Sequence, residues 1–215
     1  VVVKSDQMGW EKVNLVEPFK EALGLPVWLE NDVRSCLIGE KARRGLSDET
    51  DTAYLMVGTG IGVAATVGGR MMRGFSSRSG EIERVPINPG MECQTTLHRH
   101  LTEASLIERA RKYDPQVDSV CSIAMNIRQP WAQELVADFK KYLNFIIQMV
   151  DGICNPYSII LGGTIIPQLA PYIKDALPAG RVIIGENYED ACVTGAAMVA
   201  IRGGIQALIN EQIEI

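Results

Sequence analysis

Three short motifs fall in one order along the chain: Leu29-Glu30-Asn31-Asp32, then Val57-Gly58-Thr59-Gly60-Ile61-Gly62, then Ile160-Leu161-Gly162-Gly163-Thr164. Each follows or ends an apolar run of strand character, where backbone must pass close to a neighbour with no Cβ in the way, and the first brings a carboxylate to such a position. A chain spaced in this way reads as an α/β protein that handles phosphate. Upstream of Asn31 there is no further glycine-rich loop.

The text between the motifs supplies the elements. Val16 to Leu23 has amphipathic spacing and stops at Gly24; Val27 to Leu29 after Pro26 reads as a strand that places Asp32 at its end. Val33 to Arg44 returns to a helix. Ala53 to Val57 and Gly62 to Val67 read as strands, Gly68-Gly69 as a hairpin turn, and Arg70 to Arg73 as the start of a third strand. That is a meander, not a dinucleotide-binding crossover. Residues 74 to 96 are irregular and hold Glu81, Arg84 and Cys93, which suits a long functional loop. Helices are expected over Leu101 to Tyr113, Val117 to Asn126 and Trp131 to about Cys154, the last from the spacing of Leu135, Phe139, Leu143, Ile146, Ile147 and Val150. A buried strand, Ser158 to Leu161, a helix, Ile166 to Leu177, a strand, Arg181 to Ile184, and a small-residue helix, Thr194 to Ile209, complete the reading.

Several of these residues can do chemistry. A carboxylate at Asp32 suits a general base that deprotonates a hydroxyl nucleophile; it equally suits an N-cap for the helix that follows. The backbone N–H groups of Gly58, Thr59, Gly60 and Gly62 can cradle a phosphate, or the run can be a plain hairpin turn. It lacks the Lys of a Walker loop, and a strand follows where the dinucleotide fingerprint needs a helix. Gly162 and Gly163, between strand and helix, leave bare backbone for a nucleotide or for close packing.

Composition narrows the partners. A net charge of −5 excludes the basic face that nucleic acid requires, so no nucleic acid is expected to bind through this chain. Five widely spaced cysteines suit a reducing compartment. No signal peptide or uninterrupted apolar span is read, so a cytoplasmic chain with no membrane partner is expected. Val1-Val2-Val3 reads as the inside of a strand, and the chain is expected to be a fragment.

Taken together, the motifs resemble the ROK family of sugar kinases and related transcriptional repressors, of the actin-like ATPase (ribonuclease H-like) fold. Gly9-Trp10, Leu25-Pro26-Val27 and Glu30-Asn31-Asp32 resemble the entrance to the family's sugar site, and Gly58 to Gly62 its second phosphate loop. Gly68-Gly69-Arg70 resembles the following hairpin, Gly80-Glu81-Ile82 the second sugar motif, Gly162-Gly163 the adenosine motif, and Thr194-Gly195-Ala196-Ala197 the closing helix. The resemblance implies a large lobe over 33–193, the remainder of a small lobe over 1–32, and a closing helix over 194–215. It implies Asp32 as the base, Asn31 and Glu81 on sugar hydroxyls, and ATP on Gly58, Thr59, Gly60, Gly62, Gly162 and Gly163, with Mg²⁺ neutralising phosphate charge. A homodimer is implied as well.

The chain also departs from the family. The amino-terminal acidic-x-Gly-Gly-Thr phosphate motif has no counterpart. Gly80-Glu81-Ile82-Glu83-Arg84 puts Arg84 where the family has a histidine that touches sugar and ligates zinc, and Glu103 stands one residue from the position of an acidic sugar ligand. Cys93, His98 and His100 give three zinc ligands where structural zinc takes four, so the segment reads as a solvated loop. The expected function is transfer of phosphate from ATP to a hexose or N-acetylhexosamine. The alternatives are the sugar-sensing domain of a repressor and a non-catalytic homologue.

Overall fold

The computed structural model describes residues 2–5, 8–87 and 95–213, with side chains over 8–87 and 95–210. Strands β1 (Val2–Ser5) and β2 (Trp10–Val13) pair antiparallel, with Val2 opposite Val13. Helix α1 (Val16–Leu23) ends where Gly24, in the left-handed region at φ 64°, donates its N–H to Lys20 O. Residues 25–30 then run without sheet pairing, so the strand expected at Val27 to Leu29 is not formed, and Asp32 does not end a strand. It is instead the first residue of α2 (Asp32–Arg43), and Asn31 is the cap, its side chain accepting from the Arg34 N–H.

Strands β3 (Thr52–Val57), β4 (Ile61–Val67), β5 (Arg70–Met71), β6 (Ser158–Gly162) and β7 (Val182–Ile184) make one mixed sheet in the order β5-β4-β3-β6-β7. β3 pairs antiparallel with β4 and parallel with β6, and β6 pairs parallel with β7. The turn between β4 and β5 is Gly68-Gly69, both at positive φ, and the Asp51 carboxylate accepts both of their N–H groups.

Alternation along β3 divides the core between two faces. Ala53, Leu55 and Val57 face a large apolar cluster; Tyr54 faces a smaller one with Val33, Cys36, Leu37, Ala64 and Ile160. The large cluster is covered by α3 (His98–Leu101), α4 (Glu103–Ala110), α5 (Val120–Met125), α6 (Pro130–Cys154) and α7 (Ile165–Ile173). The helical spacing read along α6 is the buried stripe: Leu135, Phe139, Leu143, Ile146, Ile147 and Val150 are all buried. The helix expected over Leu101 to Tyr113 is α4, which begins only at Glu103, after a short α3 that ends at Leu101. Thr102 is extended (φ −85°, ψ 152°), fully buried, and its hydroxyl bonds back to His98 O, which breaks the run.

The smaller cluster is closed by α2 and α8 (Tyr188–Ile213). α8 starts at Tyr188, six residues before the Thr194 start read from the sequence, because the Asn187 side chain accepts the N–H groups of Glu189 and Asp190 and caps it. Over Tyr188–Asn210 this helix is long and apolar enough to cross a membrane by length and composition alone. That apolar span was not read from the sequence. The beginning of α8 packs on α2, whereas Ile201, Ile205, Leu208 and Ile209 near its end are exposed.

Candidate functional site

Parallel pairing of β3 with β6 brings their carboxyl ends side by side, the place where open α/β sheets bind ligands. The start of α2 and the start of α8 reach the same place. Asp32, Met56, Gly58, Thr59, Gly60, Gly163, Thr164 and Tyr188 line a cavity of about 140 Å³ there. Five of the expected site residues, Asp32, Gly58, Thr59, Gly60 and Gly163, therefore meet in one place.

The turns around the cavity require glycine. Gly163 has φ 95°, and a Cβ on it would stand 2.4 Å from Val57 O. A Cβ on Gly58 would stand 2.8 Å from the Thr164 hydroxyl. The two turns thus cross backbone to backbone, leaving surface that no side chain of their own fills. Gly62 and Gly162 do not line the cavity. Their Cβ positions are taken by Val33 Cγ2 at 2.8 Å and by the Tyr54 hydroxyl at 1.9 Å, so both serve packing beneath the site.

Hydrogen bonds fix the first turn. The Gly58 N–H donates to Gly60 O (3.0 Å), the Ile61 N–H to Glu83 Oε2 (3.4 Å), and Gly58 O accepts from the Glu103 N–H (3.0 Å). The N–H groups of Thr59 and Gly60 meet no acceptor among the described residues. Glu103 also lies by Thr164, whose hydroxyl is 3.4 Å from its carboxylate, so it joins the two turns instead of standing with Glu81.

Asp32 is exposed, with Oδ1 accepting the Val33 N–H (2.9 Å) and the Asn31 side-chain amide (2.8 Å). Behind it stands Glu30, read from the sequence only as part of the Glu30-Asn31-Asp32 run. Its buried carboxylate accepts from Arg34 Nε (2.7 Å), Arg73 Nη1 (3.1 Å) and the Asn31 N–H (2.9 Å), and Arg34 reaches on to Ser77 O (3.1 Å). This clamp ties the loop after β5 to the Asn31-Asp32 corner. The i,i+4 spacing of Glu30 and Arg34 was a visible signal.

Burial pushes the Glu30 carboxyl up, but the Arg73 and Arg34 hydrogen bonds outweigh it and hold the group below the ordinary 4.5. Its contribution to stability is therefore complete above that value and is lost as the pH falls through the lower folded one. In urea unfolding, the gap in midpoint between wild type and Glu30→Gln is expected to be widest near neutral pH and to narrow as the solution is acidified below the ordinary carboxylate range. A gap independent of pH contradicts the clamp.

Glu81 and Arg84 are exposed on the segment after Gly80 and do not line the cavity. Gly80 itself is locked to β4: its carbonyl accepts the Val63 N–H, and a Cβ on it would stand 1.7 Å from Val63 O. The two histidines are held apart by different carboxylates, His98 Nδ1 by Glu83 and His100 Nδ1 by Asp138, each at 2.8 Å. Cys93, the third of the expected zinc set, lies outside the described residues. Among the described residues no three His, Cys, Asp or Glu side chains are grouped to hold a metal.

Met56, Thr164 and Tyr188 were missed by the sequence reading. Thr164 directly follows a motif glycine and was within reach of it; Tyr188 carries no local signal, since only the packing of α8 on α2 brings it to the cavity.

Comparison with known proteins fits this geometry. The ROK family model matches residues 1–201. The xylose repressor of Bacillus spizizenii is 23% identical over 200 residues, covering 87% of this chain and 52% of the repressor. This chain thus spans about half the length of that relative. A ROK family glucokinase from Streptomyces griseus, solved with glucose and AMPPNP, superposes with a TM-score of 0.72 at 18% identity, covering 92% of this chain and 75% of that one. A ROK family transcriptional regulator, a homologue of the E. coli MLC protein, superposes at 0.73 with 21% identity, covering 92% and 57%. The mixed α/β sheet is that of the ROK sugar kinases, an actin-like ATPase fold. The match of the ROK family model to residues 1–201, nearly the whole length, places this chain in the ROK family.

Proposed function

We propose that the cavity is a phosphoryl-transfer site, in which Asp32 takes the proton from a hexose or N-acetylhexosamine hydroxyl as that oxygen attacks the γ-phosphorus of ATP. The observation that carries this reading is that the Asp32 carboxylate and two stretches of bare backbone, Gly58 to Gly60 and Gly163, face one cavity. A base needs access to the hydroxyl it deprotonates, and Asp32 is exposed with only Oδ1 engaged. Phosphate oxygens need donors that are already in place, and the Thr59 and Gly60 N–H groups with the Thr59 hydroxyl are such donors. Gly163 leaves room for the nucleotide. In this reading Asn31 and Glu81 position the sugar with Arg84 beside it, Glu81 and Arg84 reaching it from outside the cavity lining, while Glu103 braces the two turns on the phosphate side and Gly62 and Gly162 hold the floor.

Mg²⁺ binds mainly to nucleotide phosphates and needs one or two carboxylates from the protein. Glu103, beside Thr164 and the Gly58 turn, fits that need and leaves Asp32 to act as the base. When bound, the ion neutralises charge on the phosphates. The reading keeps a small-lobe remainder at 1–32, a large lobe at 33–193 and a closing helix at 194–215, in a cytoplasmic homodimer whose contact the exposed apolar end of α8 suits.

A second reading, a sugar-sensing domain without transfer, is favoured by one detail. Gly58 spends its N–H on Gly60 O and Ile61 spends its own on Glu83, which leaves two amides for phosphate. The test is ADP release from Mg-ATP by the purified chain across hexoses, N-acetylhexosamines and xylose. Sugar-dependent release supports transfer; binding of a sugar with no release supports the sensor.

A further inference from the structure

Helices α2 and α8 cross in backbone contact, and two thiols meet at the crossing. A Cβ on Gly39 would stand 1.9 Å from Ala191 O, and one on Gly195 would stand 1.7 Å from Ser35 O. Cys36 directly follows Ser35 and Cys192 directly follows Ala191. Their contacts are reciprocal: Cys36 Sγ lies 3.9 Å from Tyr188 O and Cys192 Sγ 4.0 Å from Asp32 O. Each of these carbonyls stands one helical turn ahead of the opposite cysteine. Each sulfur therefore lies against the turn that leads into the other cysteine. Of the other described cysteines, Cys121 is exposed on α5 and Cys154 sits at the end of α6 against Met72.

We propose that Cys36 and Cys192 are a redox-modification site, a dithiol that hydrogen peroxide converts to a reversible disulfide joining α2 and α8 one turn in from their starts. Cys192 is partly exposed and Cys36 is fully buried, so peroxide meets Cys192 first. The Cys192 sulfur attacks one peroxide oxygen, the O–O bond breaks, and a sulfenic acid and water result. The Cys36 sulfur then attacks the sulfenic sulfur, the S–O bond breaks, and a second water leaves with the proton of the Cys36 thiol. The two thiols lose two electrons in all, and the peroxide gains them.

Closure brings the sulfurs to about 2 Å. The helices cannot approach as whole bodies, because Gly39 and Gly195 already fill the crossing. Movement therefore falls on the turns that begin at Asp32 and Tyr188, both of which line the cavity. Burial pushes both thiols up, Cys36 to about 12. Since the thiolate is the attacking form, the reaction is slow at neutral pH and quickens as the pH rises.

The test is peptide mapping of the full chain after reduction, removal of reductant, exposure to hydrogen peroxide and alkylation of the remaining thiols. A Cys36–Cys192 linked peptide is expected, lighter by two hydrogens than the separate peptides. It should form within one chain, faster at higher pH, and disappear with dithiothreitol. Recovery of Cys36 fully alkylated while Cys192 is driven to sulfinic acid would overturn the proposal, as would linkage of either residue chiefly to another cysteine. Cys192→Ser keeps the buried Cys36 in place and is expected to lose every Cys36 linkage; a Cys36 linkage that persists in this variant contradicts the assignment. The outcome is independent of whether the cavity transfers phosphate.

Discussion

Replacing Asp32 by Asn is expected to lower sugar-dependent ADP release by about two to four orders of magnitude, the usual worth of a positioned general base. The substitution is chosen to remove basicity and little else. Asn retains an oxygen at the Oδ1 position, where the carboxylate accepts the Val33 N–H at 2.9 Å, and loss of the negative charge in the first turn of α2 costs at most about 1 kcal/mol. The cap that begins α2 is supplied by Asn31 and is not touched. Urea unfolding of the variant should therefore match wild type closely, while the turnover rate drops and the sugar concentration for half-maximal rate changes little. A variant that turns over at the wild-type rate would remove Asp32 from the chemistry, whatever its place in the cavity.

The largest structural effect is expected at the crossing of α2 and α8. Gly39→Ala puts a methyl group 1.9 Å from Ala191 O and 2.9 Å from the Gly195 nitrogen; Gly195→Ala puts one 1.7 Å from Ser35 O and 3.0 Å from the Gly39 nitrogen. Every one of these atoms is backbone, so no rotamer change relieves the clash and the helices must separate. Separation opens the cluster of Val33, Cys36, Leu37, Tyr54, Ala64 and Ile160. Each variant is expected to lose about 3 kcal/mol, the upper range for an overpacked core, read as a lower urea midpoint at unchanged slope. The sign decides the matter, because helix propensity alone favours Ala over Gly by about 1 kcal/mol. Gly152 in α6 has no neighbour near its Cβ position, so Gly152→Ala is the control and should stabilise. Stabilisation at Gly39 or Gly195 would mean that α8 does not close on α2 as described.

The parts of the fold that were legible in the sequence are those set by local rules. The Gly68-Gly69 turn and the stripe along α6 follow from a two-residue hairpin and a 3.6-residue period, and the second and third motifs sit where β3 and β6 end. The parts that were not legible depend on distant partners. Val27 to Leu29 has strand composition but no neighbouring strand to pair with. The Glu30 clamp needs Arg73, which stands 43 residues away in sequence. Gly162 reads as a ligand glycine until Tyr54 is seen to fill the space of its Cβ, and Gly62 likewise until Val33 does. The break at Thr102 rests on burial of one hydroxyl, which no periodicity records. The early start of α8 is different in kind, since Asn187 before Glu189 and Asp190 is an N-cap signal written in the sequence itself.

Whether Asp32 and the two bare turns form one phosphate site is decided by backbone amide NMR signals of the ¹⁵N-labelled chain during titration with Mg-ATP. The amides of Thr59, Gly60, Gly163 and Thr164 are expected to shift most and in a saturable way. The second cavity, between Tyr113 and Trp131 with Arg109 and Lys112, should stay unchanged. Saturable shifts confined to that second cavity, or no shift at Thr59 and Gly60 at saturating nucleotide, would contradict a single phosphate site.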